Sequence, residues 1–122
     1  MLIQSNSFGL HPEGEFNGQI TKIEEDISKL YGTPQLVFTV TTTPIYGEKV
    51  ERTILNWTST SFSPKSNLGQ IFMAVSGEAI ESGFTLDTDR DLLHKQAIVV
   101  VEHYPKKDGQ TGNRIKAWQS IS

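Results

Sequence analysis

The sequence predicts an all-β fold with one main helix, and three observations carry that prediction. Several segments alternate apolar and polar residues with the period of a half-buried strand. One segment alone switches to the spacing of an amphipathic helix. Clusters of Gly, Pro, Asp and Thr, the residues of turns, lie between these segments. With 122 residues, 36% of them hydrophobic and 20% charged, the chain is long enough for one domain with a core of its own.

Residues 1–14 show no sustained period and contain the turn-like His11-Pro12-Glu13-Gly14, so they read as an N-terminal arm, with the domain at 15–122. A first strand is expected from Glu15 to Glu25, with Phe16, Gly18, Ile20 and Lys22 on one face and Asn17, Gln19, Thr21 and Ile23 on the other. Tyr31-Gly32-Thr33-Pro34 is a turn. Gln35 to Thr42 is a second strand, Leu36, Phe38 and Val40 opposing Gln35, Val37 and Thr39. After a turn at Pro44 to Gly47, Lys49 to Thr58 is rich in Val, Ile, Thr and Trp, a third strand. Its parity groups Leu55 with Trp57 and Arg52 with Ile54; neither face is purely apolar, so which one is exposed stays open.

Leu68, Ile71, Phe72 and Val75 form the apolar stripe of a helix predicted over Pro64 to Ser76. Ser63 suits the N-cap, Pro64 the first helical position and Gly77 the C-terminal stop. Phe84 to Leu93 reads as a loop with a short helical turn at Asp89 to Leu93. The β-branched run at Ala97 to Val101 marks a fourth strand, Gln96 to Tyr104, buried on both sides for part of its course. Asp108-Gly109 and Thr111-Gly112 signal a hairpin into a fifth strand, Asn113 to Ser120. There Ile115 and Ala117 should point inward and Arg114, Lys116 and Trp118 outward, because a one-residue slip would bury two cations. The order β-β-β-α-β-β is that of the OB-fold, a five-stranded Greek-key barrel that binds oligonucleotides and oligosaccharides. An SH3-like barrel is the competitor, but it does not normally carry a three-turn helix at this point.

Composition narrows the function. The chain has no cysteine, which excludes a disulfide scaffold, a thiolate zinc site and a cysteine nucleophile. No apolar run approaches the ~20 residues of a membrane span, and Met1 to Gly14 does not resemble a signal peptide, so a cytoplasmic location and no membrane partner are expected. The net charge of −3 announces no global basic field, but the charge is uneven. Glu78 to Asp91 has five acids and one base, whereas Lys95 to Ser122 has five bases and two acids. His11, His94 and His103 lack the spacing of zinc ligands. Asp87-Thr88-Asp89-Arg90-Asp91 starts like a calcium loop but has Leu92 where the loop needs glycine, so local capping explains it better. Ser63-Pro64-Lys65-Ser66 lacks the glycines of a phosphate loop, and there is no Gly-x-Ser-x-Gly phrase or acid–base cluster. A non-enzymatic protein without cofactor or metal is expected.

The phrases of the sequence carry a resemblance. Tyr31-Gly32-Thr33-Pro34-Gln35-Leu36-Val37-Phe38 is followed by Trp57-Thr58-Ser59 and Ser63-Pro64-Lys65-Ser66-Asn67-Leu68. Then come Asp91-Leu92-Leu93-His94-Lys95, Val99-Val100-Val101-Glu102-His103 and Gly112-Asn113-Arg114-Ile115. In this order, over about Glu15 to Ile121, the chain resembles a family of small OB-fold proteins of bacteriophages and their hosts, regarded as single-stranded DNA-binding or replication-associated proteins. It departs from that pattern at His94, where a glycine is expected. The resemblance implies a single-stranded DNA partner, with RNA as the alternative, and a role in DNA replication, recombination or repair. The sequence ends at Ile121-Ser122 without an acidic tail bearing a terminal aromatic, so partner recruitment through such a tail is not expected.

Sequence-tolerant binding of single strands needs aromatic faces for the bases and cations for the phosphates. Arg114, Lys116 and Trp118 are the best local match, with packing of Trp118 under the arm or in a homo-oligomer contact as the competing reading. Arg52 is a phosphate candidate, and Trp57 is either core or a stacking platform. Lys106 and Lys107 suit a phosphate clamp or a solvated hairpin tip. Tyr31, Tyr46 and Tyr104 complete the candidate set. A protein-interaction or assembly module that binds no nucleic acid, and a carbohydrate-binding OB-fold, are the rival functions.

Overall fold

The computed structural model describes residues 10–28 and 31–121. They form five strands and two helices: β1 (Gly14–Ile27), β2 (Pro34–Pro44), β3 (Arg52–Ser59), α1 (Asn67–Ser76), α2 (Thr88–Asp91), β4 (Gln96–Pro105) and β5 (Thr111–Gln119). The strands make one antiparallel sheet in the order β3-β2-β1-β4-β5. The edge strands β3 and β5 come into contact but share no ladder, so the sheet is not closed. The expected barrel is therefore not present as a continuous ladder. Helix α1 packs against β3, β4 and β5. No described helix is long and apolar enough to cross a membrane.

The core lies on the concave side of the sheet. Leu36, Phe38 and Val40 of β2 point into it as alternation predicts, joined by Ile20, Ile54, Val99, Val101 and the α1 residues Leu68, Ile71 and Phe72. In β4 the opposite residues, Ile98 and Val100, are half-buried rather than fully enclosed.

Two β-bulges overturn the faces expected from strict alternation. A bulged residue stands opposite no partner and reverses the parity of the residues beyond it. In β1 the register shifts between Ile20 and Lys22. Lys22 thereby turns out, where it pairs with Glu24 at 3.3 Å, and Ile23 turns toward the core opposite Phe38. In β5 the shift falls at Lys116: Ile115 pairs with Val101, Ala117 with Val100 and Trp118 with Val99. Directly opposed residues share a face, so Trp118 lies on the core side with Val99 and packs against the core, and Ala117 lies with half-buried Val100. The expected outward row Arg114-Lys116-Trp118 is thus broken.

The helix starts later than predicted, at Asn67, because Ser66 and not Ser63 is the N-cap. Ser66 Oγ accepts from Gly69 N at 3.0 Å and donates to the Ser63 carbonyl at 2.9 Å, holding Ser63-Pro64 in the preceding turn. That turn lies so close to the helix that a β-carbon at Gly69 would fall 1.7 Å from the Ser63 oxygen. Gly77 ends the helix in the left-handed conformation (φ 71°), as expected. In the acid-rich loop, Asp87 caps α2 through Asp89 N and Arg90 N. Asp91 accepts from Asp87 N, and its bond with Arg90 at 2.8 Å holds its carboxyl down at about 2.

His94 follows α2 with φ 67°, the one non-glycine residue at positive φ among those described. Glycine is the residue that the sequence resemblance leads one to expect at this position. Its amide is pinned to the Ile20 carbonyl at 2.7 Å, so the backbone cannot relax. A left-handed non-glycine residue costs about 1–2 kcal/mol, and glycine's extra freedom in the unfolded chain takes back about 0.5–1 kcal/mol. His94→Gly should therefore stabilise the protein by about 0.5 kcal/mol, read from urea unfolding; a loss of stability would show that the imidazole makes a compensating contact.

Candidate nucleic-acid interface

The unpaired seam between β3 and β5 is a groove, and the sequence of β3 explains one wall. Ile54 and Thr58 are buried, so alternation turns Leu55 (42% exposed) and Trp57 (52% exposed) outward. The parity question left open by the sequence is answered: Trp57 is on the surface. The facing wall is β5 with the hairpin that precedes it.

Three adjoining stretches make up the groove, and Trp57 lines all of them. At the helix end, about 200 Å3 lies between Asn56 and Trp57 on one side and Lys116 and Trp118 on the other, with Asn67 and Gln70 of α1 at the end. The middle stretch, about 230 Å3, runs from Leu55 and Trp57 to Tyr104, Asn113 and Arg114. The widest stretch, about 580 Å3, opens at the hairpin between Leu55 and Trp57 and the side chains of Tyr104 and Lys106, with Leu10 on its rim. Three aromatic rings and three cations thus line one groove, and no acid is among its lining residues. The nearest carboxylate that the cations use is Glu102, 2.6 Å from Arg114 Nε. The same guanidinium sits 4.9 Å from the centre of the Tyr104 ring.

Of the sequence candidates, Trp57, Tyr104, Lys106, Arg114, Lys116 and Trp118 therefore share the groove. Trp118 does so only by one edge, its body packed on the core. Arg52 does not line it: it lies on the Ile54 side of β3, half-buried near His11. Lys107 is exposed at the hairpin tip and lines none of the three stretches. Tyr31 and Tyr46 stand in their turns, 76% and 90% exposed, also outside the groove. Sequence reasoning missed Leu55, Asn67, Gln70 and Asn113. Leu55 was available from its shared parity with Trp57; the polar residues reach the groove only through the packing of α1 and the β5 register.

The described part of the N-terminal arm is not loose. His11 is 3% exposed. Its amide donates to Asn113 Oδ1 at 2.9 Å, and its carbonyl accepts from His103 Nε2 at 2.6 Å. Its Nδ1–H donates to the Pro12 carbonyl, which leaves Nε2 to accept the Thr42 hydroxyl. Residues 10–13 of the expected arm tie β2, β4 and β5 together, and residues 1–9 lie outside the described residues. Burial, with the positive charge of Arg52 adding to it, holds the His11 pKa below its usual 6.5. A group whose folded pKa is lowered binds its proton more readily when unfolded. The stability it contributes is present above about pH 6.5 and is lost as pH falls through the lowered folded value. Unfolding free energy measured at pH 7.5 and 5.5 should fall more in the wild type than in His11→Asn; equal falls would show that folding does not lower the His11 pKa.

A comparison with protein-family models finds no match, and a comparison with curated proteins finds none either.

Proposed function

We propose that this chain is a non-enzymatic single-stranded DNA-binding protein, built as an OB-like barrel whose β3–β5 seam is the binding groove. One observation carries the reading: Trp57, Tyr104 and the edge of Trp118 alternate with Lys106, Arg114 and Lys116 along a groove with no lining acid. Aromatic faces take unstacked bases, and cations take phosphates. Bases within a duplex are already stacked on each other, so a single strand makes better use of such a wall. The strand order, with β1 central and β3 meeting β5, supports the barrel, and the chain's order of phrases supports DNA as the ligand. Replication, recombination or repair is the process in which such a protein acts.

The overall charge of −3 does not oppose this. Acids concentrate at Glu24 to Asp26 and Glu78 to Asp91, and none of these lines the groove, whose charged lining residues are Lys106, Arg114 and Lys116. The test is a titration that follows tryptophan fluorescence with oligo-dT, a duplex of equal length and a neutral oligosaccharide. Saturable quenching by oligo-dT, weaker for the duplex and absent for the sugar, is expected. A response to the oligosaccharide alone, or to none of the three, overturns the reading.

A further inference from the structure

Tyr104 and Gly112 are directly opposed across the β4–β5 ladder. A β-carbon at Gly112 would meet Lys106 Cε at 2.7 Å and Tyr104 Cζ at 2.9 Å. Both side chains therefore lie over the bare backbone of Gly112, in space that any other residue would fill. Across the same strand pair, Arg114 stands opposite Glu102, which holds its Nε at 2.6 Å while the guanidinium rests against the Tyr104 ring. Only Nε is used by Glu102; the terminal nitrogens of the fork carry no other ion pair among the described residues. One glycine thus seats one ring and the stem of one cation, and the ring in turn supports the second cation.

Resting on the reading of the groove as a single-strand site, we propose that Gly112 is a positioning residue: it seats Tyr104 so that Arg114 and Lys106 are held in place for two phosphates of the bound strand. Tyr104 then supports Arg114 while it lines the groove, and Glu102 orients Arg114 through Nε while leaving its terminal N–H groups to a phosphate. Cations held in place before binding lose less conformational freedom on contact than free side chains do.

The experiment compares the wild type with Gly112→Ala and Lys107→Ala, using oligo-dT at several salt concentrations, together with the NMR signal of Arg114 Nε–H in the free proteins. Gly112→Ala should weaken binding about tenfold at low salt and flatten the dependence of log K on log salt by about 0.7, one phosphate contact on a single strand. It should also move the Arg114 Nε–H signal, because the ring is displaced. Lys107→Ala, at the exposed hairpin tip outside the groove, should leave all three quantities unchanged. A merely structural glycine would lower the melting temperature without changing the salt slope or the Arg114 signal, and that result overturns the proposal. A wild type that binds oligo-dT without any salt dependence, or not at all, overturns the single-strand reading itself and the role of Gly112 with it.

Discussion

Trp118→Ala should cost the protein about 2–3 kcal/mol of stability. Full truncation of a buried aromatic costs about 3–5 kcal/mol, and Trp118 is half-buried against the core rather than enclosed. The cause is the bulge at Lys116, which sets the indole opposite Val99. Strict alternation would have left the ring outside and its loss nearly free. Urea unfolding at neutral pH measures the difference. A change below about 0.5 kcal/mol, within the range of ordinary surface substitutions, would show that the ring is not part of the core.

Trp57→Ala should do the reverse. The ring stands half in solvent on an edge strand and lines the groove throughout its length. Its removal should cost less than about 1 kcal/mol of stability, since the ring is half exposed on the outer face of an edge strand and is not among the residues packed on the core. It should cost about 1–3 kcal/mol of oligo-dT affinity, the range for one stacked base. The two tryptophans thus form an internal control: one change acts on folding and the other on binding. Trp57→Ala protein that binds oligo-dT as tightly as the wild type would leave the cations and Tyr104 without a base platform between them.

The element order was legible because it depends on local periods. The Leu68/Ile71/Phe72/Val75 stripe and the Leu36/Phe38/Val40 alternation are both patterns within a few residues, and both survive in the structure. What was not legible depends on pairing between distant segments. The bulges at Thr21 and Lys116 are defined by which residues of β2 and β4 oppose them, and nothing in the local pattern announces an extra residue. Each one moved a bulky apolar residue, Ile23 or Trp118, from the expected outer face to the core. His11 was missed for a related reason: its partners Thr42, His103 and Asn113 lie 31 to 102 residues away in sequence. The helix start moved by one turn because Ser63 and Ser66 are equally good caps by type, and the close approach permitted by Gly69 chose the second. Of the site, the cations and rings were legible as residue types, but their division into groove-lining and outlying residues came only from the position of β3 beside β5.

The salt dependence of oligo-dT binding tests the central claim most directly, because phosphate contacts release counterions and apolar contacts do not. Each contact on a single strand contributes a slope of about −0.7 in log K against log salt, so Lys106, Arg114 and Lys116 together should give about −2. The affinity should be measured across at least a fourfold range of salt, with the groove intact and with Lys107→Ala, whose side chain lies outside the groove, as the control. A slope near −2, barely changed by Lys107→Ala, is the expected result. A slope near zero would contradict the account, whatever the affinity, and would leave the seam as a site for an uncharged ligand or a protein.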